Sequence, residues 1–326
     1  MSAAHHIVVH AHGGPDALSY ENFTPGEPGP GEVRVAIEAI GVNYIDTYHR
    51  TGLYPIALPG GLGVEAAGTI EAVGPDVANW SPGDRVALLI ETRGTYATHI
   101  VVRADLLFAL PDSVSAEVAA AALLKGITAW MLVERCAKVT PGAIALVHAA
   151  AGGVGSLLVP WLKHAGAIVI AHAGTPEKAA IAKANGADYA LSVEFDALAG
   201  VVRDVTNGHG ADVVYDGVGA SSWSASLAAI ARRGLLVTYG NASGPVPPLS
   251  PLELLRAGSI FLTRPSMFHY VDTPESRTTA GARLFAMIEQ GAIHADIGQR
   301  FALADAGDAH RALESRATRG STILIP

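Results

Sequence analysis

The sequence predicts an α/β protein in which a β-rich part precedes a doubly wound parallel sheet. Three features predict this fold class: short apolar runs with frequent turn signals before Lys125, alternating strand and helix patterns after it, and a glycine-rich turn at residues 149–155. Because 326 residues exceed the size of one ordinary hydrophobic core, we expect two domains.

The part of the chain before Lys125 has the pattern of short strands. Residues 33–39 alternate between apolar and polar side chains, as a half-buried strand does. Turn signals recur at residues 13–15, 28–31, 74–76 and 81–84. Closely spaced turns between short strands favour a barrel-like or sandwich domain.

A glycine-rich turn follows the apolar run 143–147 and leads into Ser156-Leu157-Leu158-Val159. The order of strand, tight turn and helix lets backbone N–H groups and a helix N-terminus face the pyrophosphate of a dinucleotide. Against the pattern G-x-G-x-x-G, an alanine replaces the first glycine. The candidate phosphate-binding residues are Ala150, Gly152, Gly153, Val154 and Gly155. The alternative interpretation is a plain connection between a strand and a helix.

Strand and helix patterns then alternate, as in a Rossmann-type sheet. A strand is predicted at residues 168–172, and Thr175 caps a helix that begins at Pro176 and stops at Asn185-Gly186. Further strands are predicted at 189–192, 212–215 and 235–239, and helices at 197–205 and 223–231. Pro160 lies inside the helix after the glycine turn, where it should kink the helix or remove one hydrogen bond.

The end of the chain is predicted to return to the first domain. Residues 280–290 have the pattern of an amphipathic helix, and residues 321–326 have that of a terminal strand. A terminal strand in the β-rich part makes that domain discontinuous. We therefore expect one domain of residues 1–125 and 268–326, and a dinucleotide-binding domain of residues 126–267.

The composition restricts the class of protein. A net charge of −8 disfavours a dedicated binder of nucleic acid or anionic membranes. The single cysteine, Cys136, excludes an intrachain disulfide and any multi-cysteine zinc site. Residues 142–162 lack charged side chains, but their glycines, His148 and Pro160 favour a buried strand–turn–helix over a membrane span. We see no secretory signal and expect a cytoplasmic protein.

Several further segments carry a family resemblance. They are Gly41-Val42-Asn43-Tyr44-Ile45-Asp46-Thr47-Tyr48, Gly52-Leu53-Tyr54-Pro55, Gly61-Leu62-Gly63-Val64-Glu65-Ala66-Ala67-Gly68, Leu124-Lys125-Gly126-Ile127-Thr128-Ala129, Tyr215-Asp216-Gly217-Val218-Gly219, Gly240-Asn241-Ala242-Ser243-Gly244, Thr263-Arg264-Pro265-Ser266 and Glu314-Ser315-Arg316-Ala317-Thr318-Arg319-Gly320-Ser321. With them, almost the whole chain resembles the zinc-free quinone oxidoreductase, or zeta-crystallin-like, branch of the medium-chain dehydrogenases/reductases.

This resemblance implies roles for individual residues. It implies that the β-rich part is a GroES-like catalytic domain and that the nicotinamide and substrate are surrounded by Asn43, Asp46, Tyr48, Tyr54 and Arg264. It implies further cofactor contacts from Lys125, Thr128, Gly219, Gly240, Asn241, Ser243 and Arg316. Simpler roles stay open, because Tyr54 would also pack a loop, Asp46 would also cap a helix, and Arg264 would also bind backbone carbonyls alone. A homodimer joined at residues 259–263 is implied as well.

The two segments that carry zinc ligands in zinc-dependent relatives hold none here. Those relatives place a Cys in the segment equivalent to 41–46 and a His in the segment equivalent to 61–68, and neither residue occurs there. A catalytic zinc needs about three protein ligands. We therefore predict no bound metal, and we expect His148 to be packed or hydrogen-bonded rather than a ligand.

NADPH is the expected cofactor. NAD-specific folds place an Asp or Glu roughly 20 residues after the glycines, at the end of the next strand. Here that region reads Ala171-His172-Ala173-Gly174-Thr175 and contains no carboxylate. Gly174 leaves room for a 2′-phosphate, and Lys178 follows about one helical turn later as its cation. Val193 stands where the family often has a tyrosine, which predicts a weaker preference for NADPH.

A site without a metal must activate its acceptor through hydrogen bonds and positioning, which suits a quinone. We therefore expect an NADPH:quinone reductase that acts on a small molecule, by one-electron or two-electron delivery. One alternative is an NADPH-dependent reductase of activated alkenes, such as 2-alkenals and enones. Another is an NADPH-binding protein with a non-catalytic nucleic-acid or structural role.

Overall fold

The computed structural model describes residues 4–315 and 318–326. The chain divides into two compact units: the first comprises the residues up to Ile127 and from Val271 onward, and the second is Thr128–Tyr270. The sequence set these boundaries at 125/126 and 267/268, a few residues earlier along the chain. That the first unit is catalytic and the second binds the cofactor stays a prediction.

The described residues form strands and helices that we number in chain order. The strands are β1 Ala4–Val9, β2 Leu18–Phe23, β3 Glu32–Val42, β4 Gly60–Gly61, β5 Glu65–Val73, β6 Arg85–Leu89, β7 His99–Arg103, β8 Leu107–Ala109, β9 Ile144–Val147, β10 Ile168–His172, β11 Tyr189–Leu191, β12 Ala211–Asp216, β13 Ile230–Thr238, β14 Phe261–Thr263, β15 Ile297–Ala302 and β16 Ser321–Ile325. The α-helices are α1 Tyr44–Thr51, α2 Ala116–Trp130, α3 Gly155–His164, α4 Pro176–Ala184, α5 Phe195–Val205, α6 Trp223–Ala229, α7 Pro251–Arg256, α8 Pro274–Glu289 and α9 Ala306–Glu314.

Two sheets build the first unit. One has the order β15-β16-β3-β5-β6-β8, with β7 also paired to β3, and the other has the order β2-β1-β4. In strand β3, residues 32–38 alternate between buried and more exposed positions because one face of the strand covers the core, and residues 39–42 are all buried. The terminal strand β16 pairs antiparallel with β3, with Thr322 opposite Val42 and Leu324 opposite Ile40. This pairing confirms that the end of the chain returns to the β-rich part.

Helix α2 and the π-helical segment Met131–Cys136 after it form one long apolar helix. Among the described residues, this helix alone is long and apolar enough to cross a membrane, and 83% of its most apolar window is buried inside the protein. Such burial is typical of the core helix of a globular domain. Residues 142–162, the other uncharged stretch, form strand β9, a turn and most of helix α3.

The second unit contains a parallel six-stranded sheet. Its order is β11-β10-β9-β12-β13-β14, and every neighbouring pair is parallel. This is the doubly wound order, and it confirms the Rossmann-type prediction. The order reverses between β10 and β12, on either side of β9, so the carboxyl end of β9 marks the switch point where such sheets bind ligands.

Most predicted elements of this sheet are present, but the bounds around residue 230 were wrong, and the strand predicted at 235–239 runs over Ile230–Thr238. The predicted helix 223–231 ends at Ala229, and Ile230 and Ala231 begin strand β13. Ile230 lies opposite Ala211 of β12 and is buried, so pairing and burial extend the strand at the expense of the helix. Pro160 does lie inside helix α3, as predicted.

Candidate active site

The predicted phosphate-binding turn connects β9 to α3 at the switch point of the sheet. The Ala150 N–H donates to His172 O at 3.1 Å, which ties the turn to the end of β10. Gly155 begins helix α3, and a Cβ at this position would overlap the backbone of Ala149 and Ala150. The glycine is therefore required by close backbone packing, as the sequence pattern predicts. The turn comprises Ala150, Gly152, Gly153, Val154 and Gly155.

The end of β10 carries no carboxylate, and α4 begins directly after it. Thr175 caps α4, because its hydroxyl accepts a hydrogen bond from the Lys178 N–H at 3.3 Å. Gly174 is exposed, and a Cβ built there meets no atom within 4 Å. The space around this position is therefore open whether or not the residue is a glycine. Lys178 is half-buried on the first turn of the helix.

Two buried histidines lie below the glycine turn. His148 Nε2 lies 2.9 Å from Ser226 Oγ, and His172 Nε2 donates to Val193 O at 2.8 Å. Both imidazoles also pack against the ring of Phe195. Burial lowers the pKa of His148 to about 4 and also lowers the pKa of His172. His148 is thus packed and hydrogen-bonded, as we predicted.

Asp216, at the end of β12, organises the next loop of the sheet. Its buried carboxylate accepts hydrogen bonds from the Val218 and Gly219 N–H groups at 2.9 and 3.1 Å. The hydroxyls of Ser222 and Ser226 also donate to it. Gly219 has a φ of 96°, in the left-handed region that favours glycine. Asp216 therefore positions the predicted cofactor residue Gly219.

Arg264 lies beyond the end of β14, beside the end of β13. Its Nη1 donates to Gly240 O at 3.0 Å and to Thr238 Oγ1 at 3.3 Å. One of these contacts is with a backbone carbonyl, as in the simpler role, and the other is with a side-chain hydroxyl. Ser243 is also close to this sheet end, because its hydroxyl donates to Val218 O at 2.9 Å. The second unit thus brings together Gly219, Gly240, Asn241, Ser243 and Arg264 at the carboxyl ends of β12 to β14.

Glu65 is the centre of a buried polar cluster in the first unit. Its Oε1 accepts from Asn43 Nδ2 at 2.7 Å and from Lys125 Nζ at 3.2 Å, and its Oε2 accepts from the Leu124 N–H at 2.6 Å. Both members of the Glu65–Lys125 ion pair are nearly inaccessible to solvent. Removing either partner would leave an uncompensated buried charge. The structure therefore joins the catalytic candidate Asn43 to the cofactor candidate Lys125.

Asp46 lies in the first turn of α1 and is fully buried. Its Oδ2 accepts the Asn43 N–H at 2.8 Å and the Tyr96 hydroxyl at 3.1 Å. Burial raises the pKa of Asp46 to about 7, against the opposing effect of these two hydrogen bonds. The helix-capping role that we left open is therefore present, while contact with a substrate stays a prediction.

Tyr48 and Tyr54 form the predicted aromatic pair. Their ring centroids are 5.2 Å apart at an interplanar angle of 64°, and the Tyr54 N–H donates to Tyr48 O at 3.1 Å. Edge-to-face contacts of this kind stabilise both rings. Both side chains are partly exposed.

Some predicted residues stand apart from these clusters. Arg316 lies outside the described residues. Thr128 is the first residue of the second unit, and its role as a cofactor contact stays a prediction. Sequence reasoning also missed Glu65 and Asp216 as site residues, although both lie inside segments that carry the resemblance. Within residues 4–315 and 318–326, no group of three His, Cys, Asp or Glu side chains is arranged to hold a metal ion.

The chain is similar over its full length to known oxidoreductases. Residues 29–112 match the alcohol dehydrogenase GroES-like domain, and residues 153–275 match the zinc-binding dehydrogenase domain. The quinone oxidoreductase of Pseudomonas aeruginosa is 45% identical, over 99% of this chain and 100% of that protein. The 2-haloacrylate reductase of a Burkholderia species is 38% identical, over 98% of each chain.

The same likeness holds for a solved structure. The crystal structure of Escherichia coli quinone oxidoreductase complexed with NADPH has a TM-score of 0.96 and 42% identity, and the match covers 99% of this chain and 100% of that one. The two domain matches, the full-length identities and the doubly wound sheet agree with one another. This chain therefore belongs to the quinone oxidoreductase branch of the medium-chain dehydrogenase/reductase family.

Proposed function

We propose that this protein is an NADPH-dependent quinone reductase. The observation that carries the proposal is the acid-free end of β10, which lies beside the tight glycine turn at the switch point of the parallel sheet. A relative that is 42% identical was solved with NADPH and is itself called a quinone oxidoreductase. The turn would receive the pyrophosphate, and the end of β10 would receive the adenosine ribose.

The residues around β10 fit the 2′-phosphate of NADPH. A carboxylate at this strand end would hydrogen-bond a free ribose 2′-hydroxyl and repel a phosphate, and residues 171–175 contain none. The open space at Gly174 accommodates the phosphate, and Lys178 on the first turn of α4 supplies a cation. The His172 imidazole fixes the backbone nearby through its hydrogen bond to Val193 O.

The candidate catalytic residues supply positioning and hydrogen bonds. When bound, NADPH supplies the reducing electrons. Asn43 is fixed by Glu65, and it would orient the nicotinamide and the acceptor from that anchored position. Tyr48 and Tyr54 would form an aromatic wall with hydroxyl donors, and Arg264 would stabilise negative charge that develops on the acceptor oxygen. Besides the two electrons from NADPH, a quinone needs only such donors and protons for its reduction to a hydroquinone.

We propose that the reaction needs no zinc. The matched domain is described as zinc-binding, but the two segments that carry zinc ligands in zinc relatives hold neither Cys nor His here. Zinc needs about three ligands of the Cys, His or carboxylate type. In this chain the nearby buried carboxylate, Glu65, is already held by Asn43, Leu124 and Lys125.

We further propose that the protein works in the cytoplasm as a homodimer joined through β14. This strand ends the six-stranded sheet, and its Phe261 side chain is 64% exposed. Leu252 and Leu255 on the preceding helix α7 are also more than half exposed. Unpaired edge strands and exposed apolar patches are both features of surfaces that associate with another chain. The free Cys136 fits a reducing compartment.

A second candidate function is the reduction of activated alkenes. The relative called 2-haloacrylate reductase favours it, because the same donors would serve an enone or an enal as well as a quinone. The test is NADPH oxidation with a panel of 1,4-benzoquinones, naphthoquinones and 2-alkenals, each at several concentrations. We expect the highest kcat/KM with quinones. A higher kcat/KM with 2-alkenals would replace the proposed function with the second candidate.

A further inference from the structure

A series of hydrogen bonds reaches Asp46 from helix α9. Tyr96 Oη lies 3.1 Å from Asp46 Oδ2 and 3.1 Å from His310 Nε2. On the other side of the imidazole, His310 Nδ1 lies 3.1 Å from Arg50 Nη1. Arg50 Nη2 in turn lies 2.6 Å from Glu314 Oε1. All of these side chains except that of Glu314 are buried, and all belong to the first unit. We call this series the Asp46 chain.

The chemistry of Arg50 fixes the direction of every bond in the Asp46 chain. A guanidinium has donors and no acceptor, so Arg50 must donate to His310 Nδ1. Burial, assisted by the Arg50 charge, lowers the pKa of His310 to about 3, so the imidazole is neutral and carries its hydrogen on Nε2. That nitrogen donates to Tyr96 Oη, and the Tyr96 hydroxyl donates to Asp46 Oδ2.

From Arg50 through His310 and Tyr96, each group therefore donates to the next, and the last donor, the Tyr96 hydroxyl, reaches one oxygen of Asp46. Oδ2 accepts both the Tyr96 hydroxyl and the Asn43 N–H, whereas Oδ1 has no hydrogen-bond partner among the described residues. A proton taken up by this carboxyl must reside on Oδ1. Because burial raises the pKa of Asp46 to about 7, that proton is exchanged near neutral pH. The charged groups that face Asp46 are Glu65 on β5 and Lys125 on α2.

We propose that Tyr96 and His310 are positioning residues for the reductase reaction, because they orient Asp46 and control its protonation through a hydrogen-bond chain of fixed direction. This inference rests on the proposed function, since Asp46 must influence the reaction for the chain to matter. No carried proton crosses the chain, because Arg50 cannot accept one. The Asp46 chain acts as a fixed electrostatic support, and helix α9 thereby becomes part of the catalytic apparatus.

The location of Asp46 explains how its charge would reach the reaction. The carboxyl caps the helix that carries Tyr48, and its capping contact is the backbone of Asn43. Asn43 and Lys125 are both held by Glu65, so ionised Asp46 places a second negative charge beside that ion pair. Fixed charges near a reacting centre change the stability of charge that develops there. The protonated and ionised forms of Asp46 should therefore differ in rate.

The first experiment measures the Asp46 titration directly in the full-length protein. Aspartate is labelled with ¹³C at the carboxyl carbon, and the Asp46 resonance is assigned by its loss in Asp46→Asn. In Tyr96→Phe the carboxylate loses one donor, so the titration midpoint should rise by about one pH unit. His310→Asn keeps an acceptor near Arg50 but no donor toward Tyr96, and it should raise the midpoint as well. His310→Gln places an amide nitrogen near the Nε2 position and should stay closer to wild type.

The second experiment measures the pH dependence of kcat/KM with NADPH and a benzoquinone for the same variants. We expect the midpoint of the rate profile to move with the NMR midpoint, while the KM for NADPH stays unchanged. An unchanged titration in Tyr96→Phe would overturn the inference, as would a shifted titration with an unshifted rate profile. If wild type reduces no quinone or alkene, the proposed function fails, and the role of Tyr96 and His310 in the reaction fails with it. In that case, the NMR shifts still show separately whether the chain controls Asp46.

Discussion

Glu65 and Asp216 hold comparable positions in the two units. Glu65 is a buried carboxylate that gathers the Leu124 N–H and the side chains of Asn43 and Lys125. Asp216 gathers two backbone N–H groups and two serine hydroxyls at the end of β12. Buried carboxylates are tolerated when donors surround them, so each one fixes the conformation of its neighbours. A sequence shows the acid but not which donors reach it, and both residues were therefore missed.

Burial of Asp46 should be visible in the pH dependence of stability. The pKa of Asp46 is raised from 3.8 to about 7, so the folded protein binds this proton more tightly than the unfolded chain. The stabilisation is present at low pH and is lost as the pH rises through 7. Between pH 5 and pH 8, the free energy of unfolding of wild type relative to Asp46→Asn should fall by about 2–3 kcal/mol. Urea unfolding of both proteins at each pH measures it, and a constant difference would contradict the assigned pKa.

Among the helices and strands, the sequence predicted the bounds correctly where the capping residues and the hydrophobic periodicity indicated the same ends. Strand β10 and helix α4 have the predicted bounds, because Thr175, Pro176 and Asn185 each mark a helix end. The end of α6 was wrong, because pairing of Ile230 with Ala211 depends on a strand far away in sequence. The glycine turn was predictable as well, because residues within the segment itself indicate the turn. The Asp46 chain was not predictable, because Arg50, Tyr96 and His310 are distant from one another in sequence and meet only in the folded protein.

The proposed dimer interface at the edge strand β14 can be tested by substitution. Phe261→Glu places a charge on the proposed dimer contact and should convert the protein to a monomer in analytical ultracentrifugation. Tyr189→Glu is the matched control, because Tyr189 lies on β11 at the opposite edge of the same sheet and is 39% exposed. The control should remain dimeric. A wild-type protein that sediments as a monomer, or a dimeric Phe261→Glu variant, would contradict the proposed interface.

For the whole molecule, the proposed function assigns a different task to each of the two units. The second unit carries the glycine turn, the acid-free end of β10 and the loop held by Asp216, which suit a phosphorylated dinucleotide. The first unit carries Asn43, Tyr48 and the buried cluster around Glu65, whose side chains fit the proposed contacts with the acceptor. The fold class and the family were predictable from sequence because motifs span both units.

The proposed NADPH site is tested most directly by the cofactor preference of the purified enzyme and by the dependence of that preference on Lys178. With a saturating benzoquinone, kcat/KM for NADPH should exceed that for NADH. Lys178→Ala should reduce the NADPH value by about 10- to 100-fold, as expected for the loss of one charge-assisted phosphate contact, and leave the NADH value unchanged. Lys183→Ala, on the same helix, is the control and should change neither value. Equal use of both cofactors by wild type, or equal losses for both in Lys178→Ala, would contradict the proposed NADPH site.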